Sequence, residues 1–392
     1  MNPPPLKSQR HLFSIPPGVH YLNNAYMGLI AEPVRSAGQL ALQRRSQPWT
    51  ITAADFFAPA DRVRGKCAAL VNGDPESIAL IPTTAFGIAT IARNLSLAPG
   101  QNIVVLGQQF PSNVYSWRKL REQGVVLRTI DSQASACWTD LVLAAIDADT
   151  GVVAIEQAHW TDGSLFDLIA IGQRCRQVGA CFIVDATQTA GAMTIDVRAA
   201  QLDALVVHSY KSMLCNYGLG FMWLGPRFSN GEPLEQSWLM RCGSDDFARL
   251  VDYQDGYAAG MRRFDSSLRA NPMLIDMLDA SLDLLLGWQP TRIRDYCLTI
   301  CRSFVDRARN AGFIVANEHE RAGNIFGLWV PSGIDLLGLS DALSERQIYV
   351  SVRGSAIRVS PHVYCEESDL AALADALEEA TRGRQRHQPA GR

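Results

Sequence analysis

A lysine closes an apolar, strand-like run, Leu205-Val-Val-His-Ser-Tyr-Lys211. At the mouth of a parallel sheet such an amine is poorly hydrated. Desolvation lowers its pKa and makes it a usable nucleophile towards an aldehyde. The hydroxyls of Ser209 and Tyr210 beside it are natural donors to a phosphate. The glycines of Tyr217-Gly-Leu-Gly220 let the following backbone turn tightly and come close to a ligand. Taken alone, a lysine capping a strand end in solvent explains this run more simply.

A second run shifts the balance. Phe182-Ile-Val-Asp185-Ala-Thr-Gln188 is another apolar strand ending in an acid, one crossover earlier. The ring of pyridoxal phosphate needs a carboxylate against its pyridine nitrogen, so that the nitrogen stays protonated and the ring withdraws electrons from a substrate carbanion. Gln188 could donate to the phenolic oxygen of that ring. The competing reading is an aspartate that caps the next helix.

Three further segments carry matching chemistry. Ile81-Pro-Thr83-Thr84-Ala85 falls after a strand and before the helical run Phe86–Leu95. A helix N-terminus there exposes amide hydrogens that suit a phosphate. The threonines also read as simple caps, and both readings can hold together. In Gln109-Phe110-Pro-Ser-Asn113 an aromatic ring could stack on the pyridine face, or fill the core. In Ser351-Val-Arg353-Gly-Ser-Ala-Ile-Arg358-Val-Ser360, Arg358 sits between apolar neighbours where a guanidinium could grip a carboxylate. A surface arginine is the alternative, and Arg353 stands out equally by composition.

The elements that must position these groups are legible in the apolar pattern. Strands are expected at Ile78–Ile81, Ile103–Leu106, Val125–Ile130, Val152–Ile155, Cys181–Val184, Leu205–His208 and Gly220–Leu224. Amphipathic stretches lie between several of them: Asn113–Gln123, Thr139–Ile146 and Leu168–Val178. Short apolar runs alternating with helices predict an α/β fold, with a mostly parallel seven-stranded sheet covered on both faces. Ligands in such sheets sit outside the carboxyl ends of the strands, where the unusual polar residues cluster. Residues 226–272 are polar, aromatic and irregular. Beyond them Met273–Trp288 and Ile293–Asn310 read as helices. Phe313–Ala316, Asn324–Val330, Tyr349–Val352 and Ala356–Val359 read as strands of a smaller α+β domain, and Glu367–Ala380 as its closing helix. The expected organisation is an N-terminal arm (1–20), a large domain (21–272), a small domain (273–382) against which 1–30 can also pack, and a disordered tail (383–392).

Composition bounds the function. Lys and Arg total 36 against 39 for Asp and Glu, so the net charge of -3 offers nothing to nucleic acid or an anionic membrane. No basic, then apolar, leader pattern occupies Met1–Pro5, and no apolar run is long enough for a bilayer span. Nine scattered cysteines, without CxxC or HExxH, read as reduced thiols of a cytoplasmic enzyme rather than as disulfides or a zinc site.

At these residues the sequence resembles the class V aminotransferase family of fold-type I pyridoxal-phosphate enzymes. That family includes cysteine desulfurases, kynureninases, isopenicillin N epimerase-like proteins and cysteine-conjugate C–S lyases. The resemblance spans nearly the whole chain, from Tyr21-Leu-Asn-Asn24-Ala25 to Ile357-Arg-Val-Ser-Pro-His362. It implies that Lys211 forms the Schiff base with the cofactor, Asp185 pairs with the ring nitrogen and Gln188 with the phenolic oxygen. It implies phosphate contacts from Thr83, Thr84, Ala85, Ser209 and Tyr210, and a stacking Phe110. The substrate is expected near Asn24, His159 and Trp160, with Arg358 on its α-carboxylate. It also implies a homodimer, in which Trp238–Asp246 reaches the neighbouring site and Ser244 contacts phosphate.

The sequence departs from the family in three places. Desulfurases carry a nucleophilic cysteine on a small-domain loop, and Leu336 to Arg358 contains none. His208 stands where desulfurases place a phosphate-binding serine. Ser212-Met-Leu-Cys-Asn216 replaces a more usual Trp and Gly-Pro. A β-eliminating C–S lyase acting on a bulky amino-acid conjugate is the leading expectation. An aminotransferase, an epimerase or a decarboxylating deaminase is the alternative, and a silent cofactor-binding protein is disfavoured by the joint presence of Lys211, Asp185 and Arg358.

Overall fold

The computed structural model describes residues 4–131 and 137–385. The chain opens with the short strand β1 (His20–Tyr21), then helices α1 (Glu32–Arg45) and α2 (Ala58–Leu70). The large sheet follows: β2 (Ile78–Ile81), β3 (Asn102–Leu106), β4 (Val126–Ile130), β5 (Thr150–Glu156), β6 (Cys181–Asp185), β7 (Ala204–His208) and β8 (Gly220–Leu224). Helices α3 (Thr84–Arg93), α4 (Tyr115–Leu120), α5 (Trp138–Ala145) and α6 (Leu168–Val178) are interleaved with its strands.

The seven strands lie in the order β2-β8-β7-β6-β5-β3-β4. Only β8 pairs antiparallel, with β2 on one side and β7 on the other. The strands are apolar throughout because both faces are covered. Leu80, Leu205, Val184, Val153 and Val104 enter one core cluster, while Ile81, Val206, Ile183, Ala154 and Val105 enter the other. That alternation with period two, buried on both sides, is what a doubly covered sheet requires.

Helices α7 (Pro272–Trp288) and α8 (Pro290–Asn310) lead into strand β9 (Phe326–Trp329), helix α9 (Leu336–Glu345), strands β10 (Ile348–Tyr349), β11 (Ser351–Arg353) and β12 (Ala356–Val359), and helix α10 (Glu367–Gln385). The second sheet runs β11-β12-β9, all antiparallel. The N-terminal segment packs here too: β1 pairs parallel with β10, and Asn23 bridges to Ser360.

Several boundaries differ from expectation. Phe313–Ala316 forms no strand: Ile314 pairs with Trp329, the last residue of β9, and the pairing goes no further. The stretch 113–123 is helical only over Tyr115–Leu120, between a 3-10 turn begun by Pro111 and one ended by Gly124. The strand expected over Tyr349–Val352 is two strands, β10 and β11. Helix α10 runs into the expected tail as far as Gln385; residues 386–392 lie outside the described residues. The 226–272 stretch folds as short 3-10 turns, including Trp238–Met240 and Gly260–Phe264. Asp265 pins it, accepting from Leu80 N at 2.8 Å and from Arg64 Nη1 at 3.0 Å.

Candidate active site

The carboxyl ends of β2, β3, β5, β6 and β7 surround one cleft of about 610 Å3, open to solvent. Thr83, Thr84, Ala85, Phe110, Trp160, Asp185, Gln188, His208, Tyr210 and Lys211 all line it. So do Ser112, Glu156, Thr187 and Tyr217, which sequence reasoning did not single out.

Lys211 is 4% exposed, one turn beyond the end of β7. Burial first, then the Arg358 guanidinium, pulls its pKa down to about 8, against the pull of Asp185 and Glu156. Its Nζ lies 4.8 Å from the centre of the Phe110 ring and 5.3 Å from that of Tyr210. The turn carrying it is tightly anchored. Ser212 Oγ donates to Ala190 O at 2.8 Å, and His362 Nε2 lies 3.0 Å from Ser212 O. Leu214 adopts a left-handed φ of 55° directly after it. Gly28 approaches so closely that a Cβ there would lie 2.2 Å from Lys211 O.

Asp185 ends β6, and its Oδ1 accepts from Thr187 N at 2.9 Å. Burial pushes its pKa up, opposed by Thr187 and by Lys211. Thr187 knits the floor: its Oγ1 accepts from His208 N at 3.1 Å and lies 3.0 Å from Thr84 Oγ1. Thr83 caps α3 by accepting from Phe86 N at 3.1 Å, which leaves the amides of Thr84 and Ala85 at the first turn. His208 Nε2 accepts from Gly218 N at 3.1 Å, where the backbone holds a φ of 103°. Desolvation then pushes its pKa down to about 4, so its ring is neutral.

Arg358 lies on β12, in the three-stranded sheet, with 1% exposure. Its Nη1 donates to Trp160 O at 2.9 Å, while Nε and Nη2 are buried without a partner. A desolvated guanidinium with half its fork free is matched to a carboxylate. Gln188 Nε2 donates to Ala25 O at 3.3 Å, and its Oε1 is likewise buried and unpaired.

Three residues expected at the ligand have partners elsewhere within the chain. Ser209 Oγ donates to Leu219 O, so its one proton holds the glycine turn instead of facing the cleft. His159 is a brace: its Nε2 lies 3.0 Å from Gly107 O, and its ring stacks on Trp138 at 5.4 Å. Asn24 is 1% exposed, and its Oδ1 accepts from Tyr364 OH at 3.1 Å. Ser244 lines a separate cleft with Arg241, Arg262 and Arg269; its expected contact is with the site of a neighbouring subunit, not with Lys211 of its own chain.

Glu156 lies just outside the strand that the sequence predicts, Val152–Ile155; β5 continues one residue further, to a charged position. Glu156 is 3% exposed and is the register partner of Asp185 on β6. Its Oε1 accepts from Phe110 N at 2.9 Å and its Oε2 from Trp160 N at 2.8 Å. A strand ending in an acid was the usable signal, the same one that marked Asp185.

The residues fit pyridoxal phosphate. Asp185 would meet a ring nitrogen, the α3 N-terminus a phosphate and the free side of Arg358 a substrate carboxylate, whereas the expected donation from Gln188 to the phenolic oxygen is not set up here, because its Nε2 is bonded to Ala25 O and its free Oε1 is an acceptor.

Residues 50–370 match the family model for class V aminotransferases. An uncharacterized aminotransferase of Bacillus subtilis (strain 168) is 24% identical over 367 residues, which cover 89% of this chain and 90% of that one. A kynureninase of Burkholderia mallei is 26% identical over 360 residues, covering 85% and 82%. Among solved structures, the cystine C–S lyase C-DES in complex with its product cysteine persulfide superposes with a TM-score of 0.82 at 17% identity, covering 92% of this chain and 97% of that one. The Escherichia coli cysteine desulfurase CsdA gives 0.78 at 19%, covering 95% and 97%.

Proposed function

The chain belongs to the class V aminotransferase family and uses pyridoxal phosphate, and from that premise we propose that it is a β-eliminating C–S lyase, or a close relative, acting on an amino-acid-bearing conjugate. The observation that carries this reading is the make-up of the cleft. One amine, Lys211, faces a wall of aromatic rings and hydroxyls, and no cysteine is among the lining residues. The fold alone does not separate a lyase from a desulfurase, since solved proteins of both names share it. A desulfurase needs a thiol within reach of the substrate sulfur. Cys365, which follows the Arg358 strand, is buried and donates to Tyr21 O at 3.3 Å, and burial pushes its pKa well up.

Bound pyridoxal phosphate supplies the electron sink that lets a substrate Cα give up its proton. Arg358 holds the substrate carboxylate through the free side of its guanidinium. Lys211 Nζ, with its pKa near neutrality, accepts the Cα proton. The Cα–H electron pair becomes the Cα–Cβ double bond as the Cβ–S bond breaks, and the sulfur leaves with that bond's pair. Tyr210, whose pKa burial pushes up to about 12, keeps its proton at neutral pH and is a donor for the departing thiolate. Water then converts the released fragment to pyruvate and ammonia.

The nine unpaired cysteines support a reducing, cytoplasmic setting. The proposal extends to a homodimer in which Ser244 serves the neighbouring cleft. Incubation of the holoenzyme with a panel of S-substituted cysteines, assaying pyruvate and free thiol, tests the reaction. Pyruvate formed in equal amount to thiol is the expected result. Absence of pyruvate with every thioether would sink it, and 2-oxo-acid-dependent turnover or loss of chirality at Cα would move the assignment to an aminotransferase or an epimerase.

A further inference from the structure

Glu156 is the one buried carboxylate of the cleft for which the reaction above has no use. Its geometry is that of a clasp. One oxygen is bonded to the backbone of the loop after β3, at Phe110, and the other to the backbone of the loop after β5, at Trp160. These loops are joined again through their own polar atoms: Trp160 Nε1 donates to Gln108 O at 2.6 Å, and His159 Nε2 lies 3.0 Å from Gly107 O. The rings of Phe110 and Trp160 meet edge to face at 5.5 Å. Trp160 O in turn accepts from Arg358 Nη1 at 2.9 Å. A path of hydrogen bonds therefore runs from the backbone of Phe110, through Glu156 and the backbone of Trp160, to the guanidinium of Arg358 on the second sheet.

We propose that Glu156 is a positioning residue of this site: its carboxylate fastens the Phe110 and Trp160 loops to the end of β5, and so sets the aromatic face presented to the cofactor and the placement of Arg358. A carboxylate is suited to this work because each oxygen accepts a charge-assisted bond from a separate N–H. A neutral amide of the same shape can accept only one of the two, and turns its own N–H2 against the other donor. The titratable groups facing Glu156 are Asp185 beside it in register, His159 on its own loop, and Lys211 and Arg358 across the cleft. Burial, reinforced by Asp185 and opposed by His159 and the two N–H donors, pushes its pKa up to about 7. The clasp thus changes state near neutrality: above that pH both bonds are charge-assisted, and below it one oxygen becomes a hydroxyl and the loops loosen.

The inference rests on pyridoxal phosphate lying between Asp185 and Phe110, as the site geometry supports. The test uses purified apoprotein titrated with pyridoxal phosphate, comparing wild type with Glu156→Gln and Glu156→Asp. The readouts are the dissociation constant, the visible circular dichroism of the saturated protein, and its dependence on pH. The expected result for Glu156→Gln is binding weakened by roughly 10-fold or more, from loss of a charge-assisted bond and exposure of an unmatched donor. Its visible dichroism falls, and the step in that signal near pH 7 seen for wild type disappears; Glu156→Asp recovers part of each. Wild-type binding, dichroism and pH profile in Glu156→Gln would overturn the proposal, as would a lowered melting temperature with all three unchanged. Failure of wild type to take up pyridoxal phosphate at all would instead strike the cofactor placement on which the clasp depends.

Discussion

Glu156 and Asp185 end two neighbouring parallel strands as register partners, so that two buried carboxylates stand side by side at the carboxyl edge of the sheet. Asp185 disfavours the charge of Glu156, and burial disfavours the charge of both. The structure resolves the conflict by giving them different partners. Glu156 is held by two backbone amides, whereas Asp185 has Thr187 and faces the Lys211 side of the cleft. A cationic ring nitrogen placed against Asp185 would relieve the remaining penalty.

Lys211→Ala is expected to abolish the visible absorbance band of the bound cofactor and to lower turnover by roughly 10^2- to 10^4-fold, the usual contribution of a positioned acid–base group. An unchanged band in the variant would refute the assignment of Lys211.

Asp185→Asn removes the only lining acid other than Glu156. Pyridoxal phosphate affinity is expected to fall by roughly 10-fold or more through loss of a charged hydrogen bond, measured by fluorescence titration. Equal affinity in the variant would place the ring nitrogen elsewhere.

Arg358→Lys keeps the charge but loses the planar fork. The expected signature is a rise in KM for the amino-acid substrate of roughly 10-fold or more, with a much smaller change in kcat. A kcat loss with KM intact would mean that Arg358 does not hold the ground-state carboxylate.

The lysine also predicts a pH effect on the apoprotein. Its folded pKa of about 8 lies below the ordinary value of 10.5 because burial disfavours the ammonium. Between those values the unfolded chain binds more protons than the folded one, so stability rises with pH there, and below about 8 the full penalty applies. Lys211→Met should therefore stabilise the apoprotein at pH 7, by up to about 3 kcal/mol, and by much less near pH 10. Urea denaturation at the two pH values measures the difference; an equal effect at both would show that the lysine is not desolvated.

Asp265 anchors the irregular 226–272 stretch to β2 and α2 through Leu80 N and Arg64. Removing one partner of a buried ion pair strands the other, so Asp265→Ala is expected to destabilise the fold by about 3–5 kcal/mol in denaturant melts. A loss below about 1 kcal/mol would show that the pair is not structurally required.

Much of the site was readable along the chain. An apolar strand that stops abruptly at Asp185 or before Lys211 marks the carboxyl edge of a covered sheet, where a polar residue has reason to be. Continuous apolar runs announced the two-faced core for the same reason: no strand could afford a solvated side. Local signals also placed Thr83 and Thr84 at a helix start, since capping involves only neighbours in sequence.

What the chain order could not convey is which polar groups converge. Ser209 and His159 stand within the motif segments, yet their hydrogen bonds go to Leu219 and Gly107, so they support the cleft without lining it. Glu156 has its partners at Phe110 and Trp160 and its neighbour at Asp185, pairings created only when β3, β5 and β6 assemble. The sequence by itself determined the strand-end lysine, the strand-end acid and the arginine on the second sheet, because each is written in a short run of local pattern. The tertiary structure decided whether a side chain points into the cleft or braces it, because that depends on long-range hydrogen bonds and burial that no local run encodes.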